Sequence, residues 1–115
     1  MKFMITFNHQ EGVWEGLSEE ERNRHAAQLG ALIGALKAKG SELVFFAPAD
    51  QAVTVRKQAD GRVEALDGPW RPGPEQAGGY YIVEAESLEE AIEWARRGRF
   101  LTGSNEVRQI IDFPG

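Results

Sequence analysis

Apolar residues fall along this chain in two rhythms, and the change from one to the other predicts the order of its elements. Phe3-Met4-Ile5-Thr6-Phe7 is a dense aromatic and β-branched run that reads as a strand buried on both faces, as in a central position of a sheet. The chain then leaves the sheet through Asn8-His9-Gln10-Glu11-Gly12. From there the spacing becomes three and four: His25, Leu29, Leu32, Ile33 and Leu36 recur on one side, with Ala26 filling in, while Glu21, Arg24, Gln28, Lys37 and Lys39 point elsewhere. This predicts a long helix with one core face and His25 at its N-terminal edge. Ser18 can cap its orphan N–H groups, Glu21 can close a capping box, and Gly40 stops it.

Glu42-Leu43-Val44-Phe45-Phe46-Ala47 is a second strand, ended by Pro48, which has no N–H for a ladder. Gln51 to Lys57 and Arg62 to Leu66 flank Gln58-Ala59-Asp60-Gly61, whose Asp-Gly pair signals a hairpin. In its first arm Ala52, Thr54 and Arg56 alternate with Val53, Val55 and Lys57, which predicts one buried and one wet face. A stretch rich in proline and glycine follows, Asp67 to Gly79, a rigid irregular path into a buried strand over Gly79 to Glu84. Ser87-Leu88-Glu89-Glu90 is a second capping box. It opens a helix with Leu88, Ala91, Ile92 and Ala95 as its apolar stripe, Trp94 bordering the stripe, and Gly98 as the stop. Glu106 to Phe113 is the last strand.

Strand, helix, strand, inserted hairpin, strand, helix, strand makes two split βαβ units: a ferredoxin-like α+β sandwich, with both helices on one face of an antiparallel sheet. The other sheet face carries more apolar residues than water would favour, so pairing of two such faces in a homodimer is expected.

Composition narrows the partners. The 115 residues are about one domain, 1–115. Thirteen Lys and Arg are interspersed among eighteen acids, with a net charge of −5, which argues against nucleic acid or an anionic membrane as partner. The chain has no cysteine, which removes disulfides, thiolate nucleophiles and thiolate metal sites and is compatible with a cytoplasmic protein. Its N-terminal apolar run is too short for a signal peptide or a membrane span.

Candidate chemistry is sparse. His25 can act as a general base, since imidazole titrates near neutral pH, or it is a histidine at the rim of a helix stripe. Asp67 can orient that imidazole or accept a proton directly, or it caps its own turn. Trp70 can wall an apolar pocket or cover a core or dimer seam. Arg71 can fix a substrate carboxylate through its forked donors or remain a solvated loop charge, and His9 is a further candidate for substrate contact. Two histidines without ligand spacing do not make a metal site, and the glycines before residue 80 precede a strand rather than open a helix, so neither a metal nor a nucleotide cofactor is expected.

Several of these segments, in this order, resemble the YCII-related superfamily, in particular its DGPF-domain branch: Met1-Lys2-Phe3-Met4, Leu17-Ser18-Glu19-Glu20-Glu21, Thr54-Val55-Arg56, Asp67-Gly68-Pro69-Trp70, Glu75-Gln76-Ala77-Gly78-Gly79-Tyr80-Tyr81, Glu89-Glu90-Ala91-Ile92-Glu93-Trp94-Ala95 and Glu106-Val107-Arg108. Trp70 stands where that branch usually has Phe. The resemblance implies a dimeric ferredoxin-like α/β barrel with a cleft in each half. In related YCII-type proteins and the muconolactone-isomerase-like enzymes they are similar to, a His and an Asp in the cleft are the proposed acid/base pair. His25 matches that His, while Gly98-Arg99-Phe100 stands where many such chains place an Asp-Pro pair. Two functions follow as expectations: a cofactor-free small-molecule enzyme of lyase, isomerase or dehalogenase type, using His25 with Asp67, or a non-catalytic ligand-binding or regulatory module of the same fold.

Overall fold

The computed structural model describes residues 1–98 and 103–113. The chain runs β1 (Lys2–Gln10), α1 (Glu19–Ala38), β2 (Val44–Phe45), β3 (Val53–Lys57), β4 (Val63–Asp67), β5 (Glu75–Glu84), α2 (Leu88–Arg97) and β6 (Gly103–Ile110), with single 3-10 turns at Trp14–Gly16 and Ala49–Gln51. Four strands form one sheet in the order β2-β5-β1-β6, antiparallel throughout, and among the described residues β3 and β4 pair only with each other. This α+β arrangement is compatible with a ferredoxin-like fold. The sheet of the single chain is open rather than closed into the barrel implied by the resemblance.

Alternation along the strands decides where the core sits. Phe3 and Ile5 of β1 lie opposite Val83 and Tyr81 of β5, so these four side chains share a face. They are buried together with Leu32 and Leu36 of α1 and with Ala85, Ala91, Trp94 and Ala95 from β5's end and α2. Met4, Thr6, Tyr80 and Ile82 point to the other face and stay half-exposed, so β1 is central in the sheet but covered on one side only.

Both helices begin as their sequences predict. Ser18 Oγ accepts from the Glu21 amide at 3.1 Å, and Glu21 returns the bond to the Ser18 amide at 3.1 Å. These bonds, with help from Arg24 and His25, hold the Glu21 carboxyl below its ordinary value. At α2 the box is altered: Ser87 Oγ accepts from Glu90, but the Glu90 carboxylate reaches the Glu86 amide one residue earlier. The stripe of α2 also differs from the expected one, because Trp94 is core and Leu88 is 47% exposed. The face is set by Tyr81, whose hydroxyl donates to the Trp94 carbonyl at 3.1 Å beneath the helix. The Arg97 guanidinium lies 4.4 Å from the Trp94 ring centroid and the Lys39 ammonium 5.8 Å, so charges from both helices cover the indole.

Strand lengths depart from expectation as well. β1 continues to Gln10 and β5 starts at Glu75, because each finds the other as partner over the whole distance, from Lys2↔Glu84 to Gln10↔Glu75. The second strand shrinks to Val44–Phe45, and the last begins three residues early and ends at Ile110. The hairpin, expected to have one buried and one wet face, leaves its valine face exposed within the chain.

Burial pushes the Tyr81 hydroxyl up to about 12, against 10.0 for the free group. A raised value favours the protonated form in the folded chain, so this contribution is complete below pH 10 and is lost as pH rises towards 12. Tyr81→Phe is therefore expected to cost about 1 kcal/mol at neutral pH through the lost hydrogen bond, and to flatten the decline between pH 10 and 12. Urea unfolding of both proteins across that range measures it; parallel declines would show that Tyr81 carries none of the effect.

Candidate functional site

Two inward-facing stripes run out of the core into the same cavity, and each ends on a histidine. Along β1 the period of two continues Phe3 and Ile5 through Phe7 to His9. Along α1 the helical spacing continues Leu36 and Leu32 through Leu29 to His25. The core closes around the first two members of each series. Phe7, His9, Leu29 and His25 instead line a cavity of about 300 Å³, together with Trp14, Phe45, Phe46, Asn105 and the backbone at Gly78, Gly98 and Gly103. Its wall is mostly apolar and aromatic. Phe7 and Phe45 meet edge to face, with centroids 5.9 Å apart and planes at 72°.

A break in strand pairing gives His9 its place. Phe7 pairs with Gly79 and Asn8 with Ala77, so Gly78 is an extra residue, a bulge in β5. A Cβ on Gly78 would lie 2.5 Å from the His9 imidazole, and one on Gly79 would lie 1.9 Å from the Val44 carbonyl oxygen. Both positions need glycine for close approach: the first lets the His9 ring lie against β5, and the second lets β2 pair at all. β2 in turn brings Phe45 to the cavity.

The roof is held from α1. Arg22 donates from Nε to the Trp14 carbonyl at 3.1 Å and from Nη2 to the Glu15 carbonyl at 2.7 Å, fastening the 3-10 turn that carries Trp14. The Glu11 carboxylate accepts from the Ala49 amide at 3.0 Å, which ties the end of β1 to the segment after β2. His25 is half-buried, and its Nδ1 is buried with no hydrogen-bond partner among the described residues. An orphaned polar atom costs free energy unless something binds it. Among the described residues no Asp, Glu, Lys or Arg side chain lines this cavity. Nor does any group of three His, Asp or Glu among them lie close enough to hold a metal ion.

The other predicted site residues lie elsewhere. Asp67 ends β4, exposed and paired with Val53, and is not part of the lining around His25. Trp70 and Arg71 border a separate groove of about 790 Å³ on the opposite face of the sheet, beside Thr6, Glu106 and Arg108. That loop is braced by Gln76, which donates to the carbonyls of Arg71 and Gly73, both at 2.8 Å. The cleft thus lies between α1, the Trp14 turn and the helix-side face of the sheet, and the Asp67 loop borders the reverse side. Arg99 and Phe100, which replace the Asp-Pro pair of the resembling chains, lie outside the described residues. Phe7, Trp14, Leu29, Phe45, Phe46 and Asn105 were not singled out from sequence; for His9, the unbroken alternation from Phe3 was the available signal.

Comparison with known proteins adds two findings. The sequence matches the YCII-related domain family over residues 1–114. An uncharacterized protein of Rhizobium meliloti (strain 1021) is 31% identical over 121 residues, an alignment that spans 100% of this chain and 97% of that protein.

Gly78→Ala is expected to push the His9 ring out of the cavity and to destabilise the fold by about 1–3 kcal/mol, the usual range for overpacking. Chemical denaturation gives the energy, and the His9 imidazole resonances in a ¹H–¹⁵N spectrum report the displacement. Unchanged resonances would show that the ring does not depend on the missing Cβ.

Proposed function

The chain belongs to the YCII-related family, and on that premise we propose that the cavity between α1 and the sheet binds a small, largely apolar molecule on which His25 acts as acid and base. The observation that carries this reading is His25 on the wall of an aromatic cavity that a second imidazole, His9, also lines, with the Nδ1 of its ring buried and without a hydrogen-bond partner among the described residues. A neutral imidazole accepts a proton from a carbon next to a carbonyl and returns it at another position, which is isomerisation, or transfers it to a leaving group, which is elimination. Each requires only proton movement, with no cofactor. His9 and the Asn105 amide are donors for the oxygen on which charge develops, in surroundings where apolar walls strengthen such bonds.

A second reading is favoured by a specific observation: no carboxylate lines the cavity among the described residues, and Glu21, one helical turn from His25, is engaged in the Ser18 cap. The site is then a ligand-binding or regulatory pocket that holds a small molecule without converting it. The half-exposed Met4, Val44, Tyr80 and Ile82 on the uncovered face support pairing of two chains through that face, as a homodimer.

Thermal-shift screening against small lactones, enones and carboxylates supplies the ligand, and turnover of each hit is then followed spectroscopically. His25→Ala is expected to fold normally, to weaken binding by about tenfold or less, as for one lost hydrogen bond, and to abolish turnover. Unchanged turnover in that variant would remove the acid/base role. Binding to the parent protein without conversion of any hit would select the second reading.

A further inference from the structure

The cavity beside His25 has a second pocket against its outer side. That pocket, of about 480 Å³, is lined by the exposed residues Glu11, Glu15 and Asp50, whereas no acidic side chain lines the cavity among the described residues. His9, Trp14, Phe46 and Gly78 border both spaces, so they form the wall between them. Three of the four are held by the sheet: His9 lies in β1 and Gly78 in β5, and the Phe46 amide donates to the Gly78 carbonyl at 2.8 Å. Trp14 alone of the four stands outside it, on the 3-10 turn between β1 and α1.

An indole on a turn of three residues keeps its place only if the turn is tied down, and the tie comes from the helix that carries His25. The Trp14 carbonyl accepts from the Leu17 amide at 3.2 Å within the turn and from Arg22 Nε at 3.1 Å, while Arg22 Nη2 reaches the next carbonyl, that of Glu15, at 2.7 Å. A planar guanidinium fork can hold two successive carbonyls at once, which an ammonium cannot do in the same geometry. The start of the segment is tied as well: the Glu11 amide donates to the Pro74 carbonyl at 3.4 Å, and the Glu11 carboxylate accepts from the Ala49 amide. Trp14 is 40% exposed, and its side chain borders the apolar space on one side and the acidic one on the other. With this wall in place the cavity is at the lower end of the range for small-molecule sites; without the indole the two spaces would join and the volume would more than double.

We propose that Trp14 determines the specificity of the cavity: its indole, positioned by Arg22, closes the apolar space against the acidic outer pocket and so sets the greatest length of ligand admitted beside His25. The inference rests on the cavity being the binding site for a small apolar molecule, and adds to that reading a limit on the molecule's length.

Uncharged 6-acyl-2-dimethylaminonaphthalenes, with acyl chains from acetyl to octanoyl, test the limit on the full chain. Their emission moves to shorter wavelength in apolar surroundings and gives the dissociation constant, and shifts of the His9 and His25 imidazole resonances place the bound probe in the cavity. In the parent protein affinity is expected to rise with the first methylene groups and then to fall at least tenfold once the chain reaches the indole. In Trp14→Ala it is expected to go on rising, by up to about fourfold for each methylene group buried, with the circular dichroism unchanged. Trp14→Phe is expected to keep a limit, and Arg22→Lys, which retains the charge but not the fork, to relax it with Trp14 still present. A parent protein without a limit overturns the proposal, as does a limit that stays unchanged in Trp14→Ala. A limit unchanged in Arg22→Lys overturns the positioning role of Arg22. If no probe moves the imidazole resonances of the parent protein or of Trp14→Ala, the cavity is not a binding site and the function proposed for it falls too; probes that bind there without a limit remove the role of Trp14 alone. Turnover in His25→Ala bears on the acid/base role and not on this limit.

Discussion

The pairing of β1 with β5 is the interaction on which the rest of the structure depends, and its slip at Gly78 is what turns a sheet into a site. Above the slip the two strands hold Phe3, Ile5, Tyr81 and Val83 in one buried layer. Below it the extra residue lets the His9 ring lie against β5, and the neighbouring Gly79 admits the Val44 carbonyl so that β2 can join the sheet edge. Without these two glycines β1 would still be a strand and β5 would still be its partner, but Phe45 and His9 would lose the positions that shape the cavity.

The helices are fixed to that sheet by a second, smaller device. Tyr81 reaches up from β5 to the carbonyl of Trp94, and the indole of Trp94 is covered by Lys39 from the end of α1 and Arg97 from the end of α2. The Tyr81 hydrogen bond therefore ties α2 to the sheet, and the Trp94 indole lies between cations from the ends of both helices. His25 lies near the opposite end of α1, so the helix is anchored where the core is dense and spans open space where the cavity lies.

What could be read from the sequence was mostly local. Ser18 and Ser87 mark both helix starts because a cap is made by residues three apart, and Asp60-Gly61 marks the hairpin for the same reason. Helical spacing alone cannot choose between Leu88-Ala91-Ala95 and Ala91-Trp94-Ala95; the choice is made by Tyr81, thirteen residues earlier in the chain and on another element. The cavity was only half legible. His25 was visible as the end of a stripe, but the company of His9, Phe45 and Asn105 depends on strands that meet from distant parts of the chain. A link between His25 and Asp67 depends on the same kind of distant placement, and Asp67 stands away from the cavity lining.

The central position of β1 also bears on how the chain is made. β1 finds both of its sheet partners far along the chain, with Lys2 paired to Glu84 on one side and to Ile110 on the other. Closing those long loops is the slow part of folding for a topology dominated by distant pairings. During that interval α1 can form on its own caps, and with Leu32 and Leu36 it offers the nascent strand a temporary apolar cover before β5 and β6 arrive.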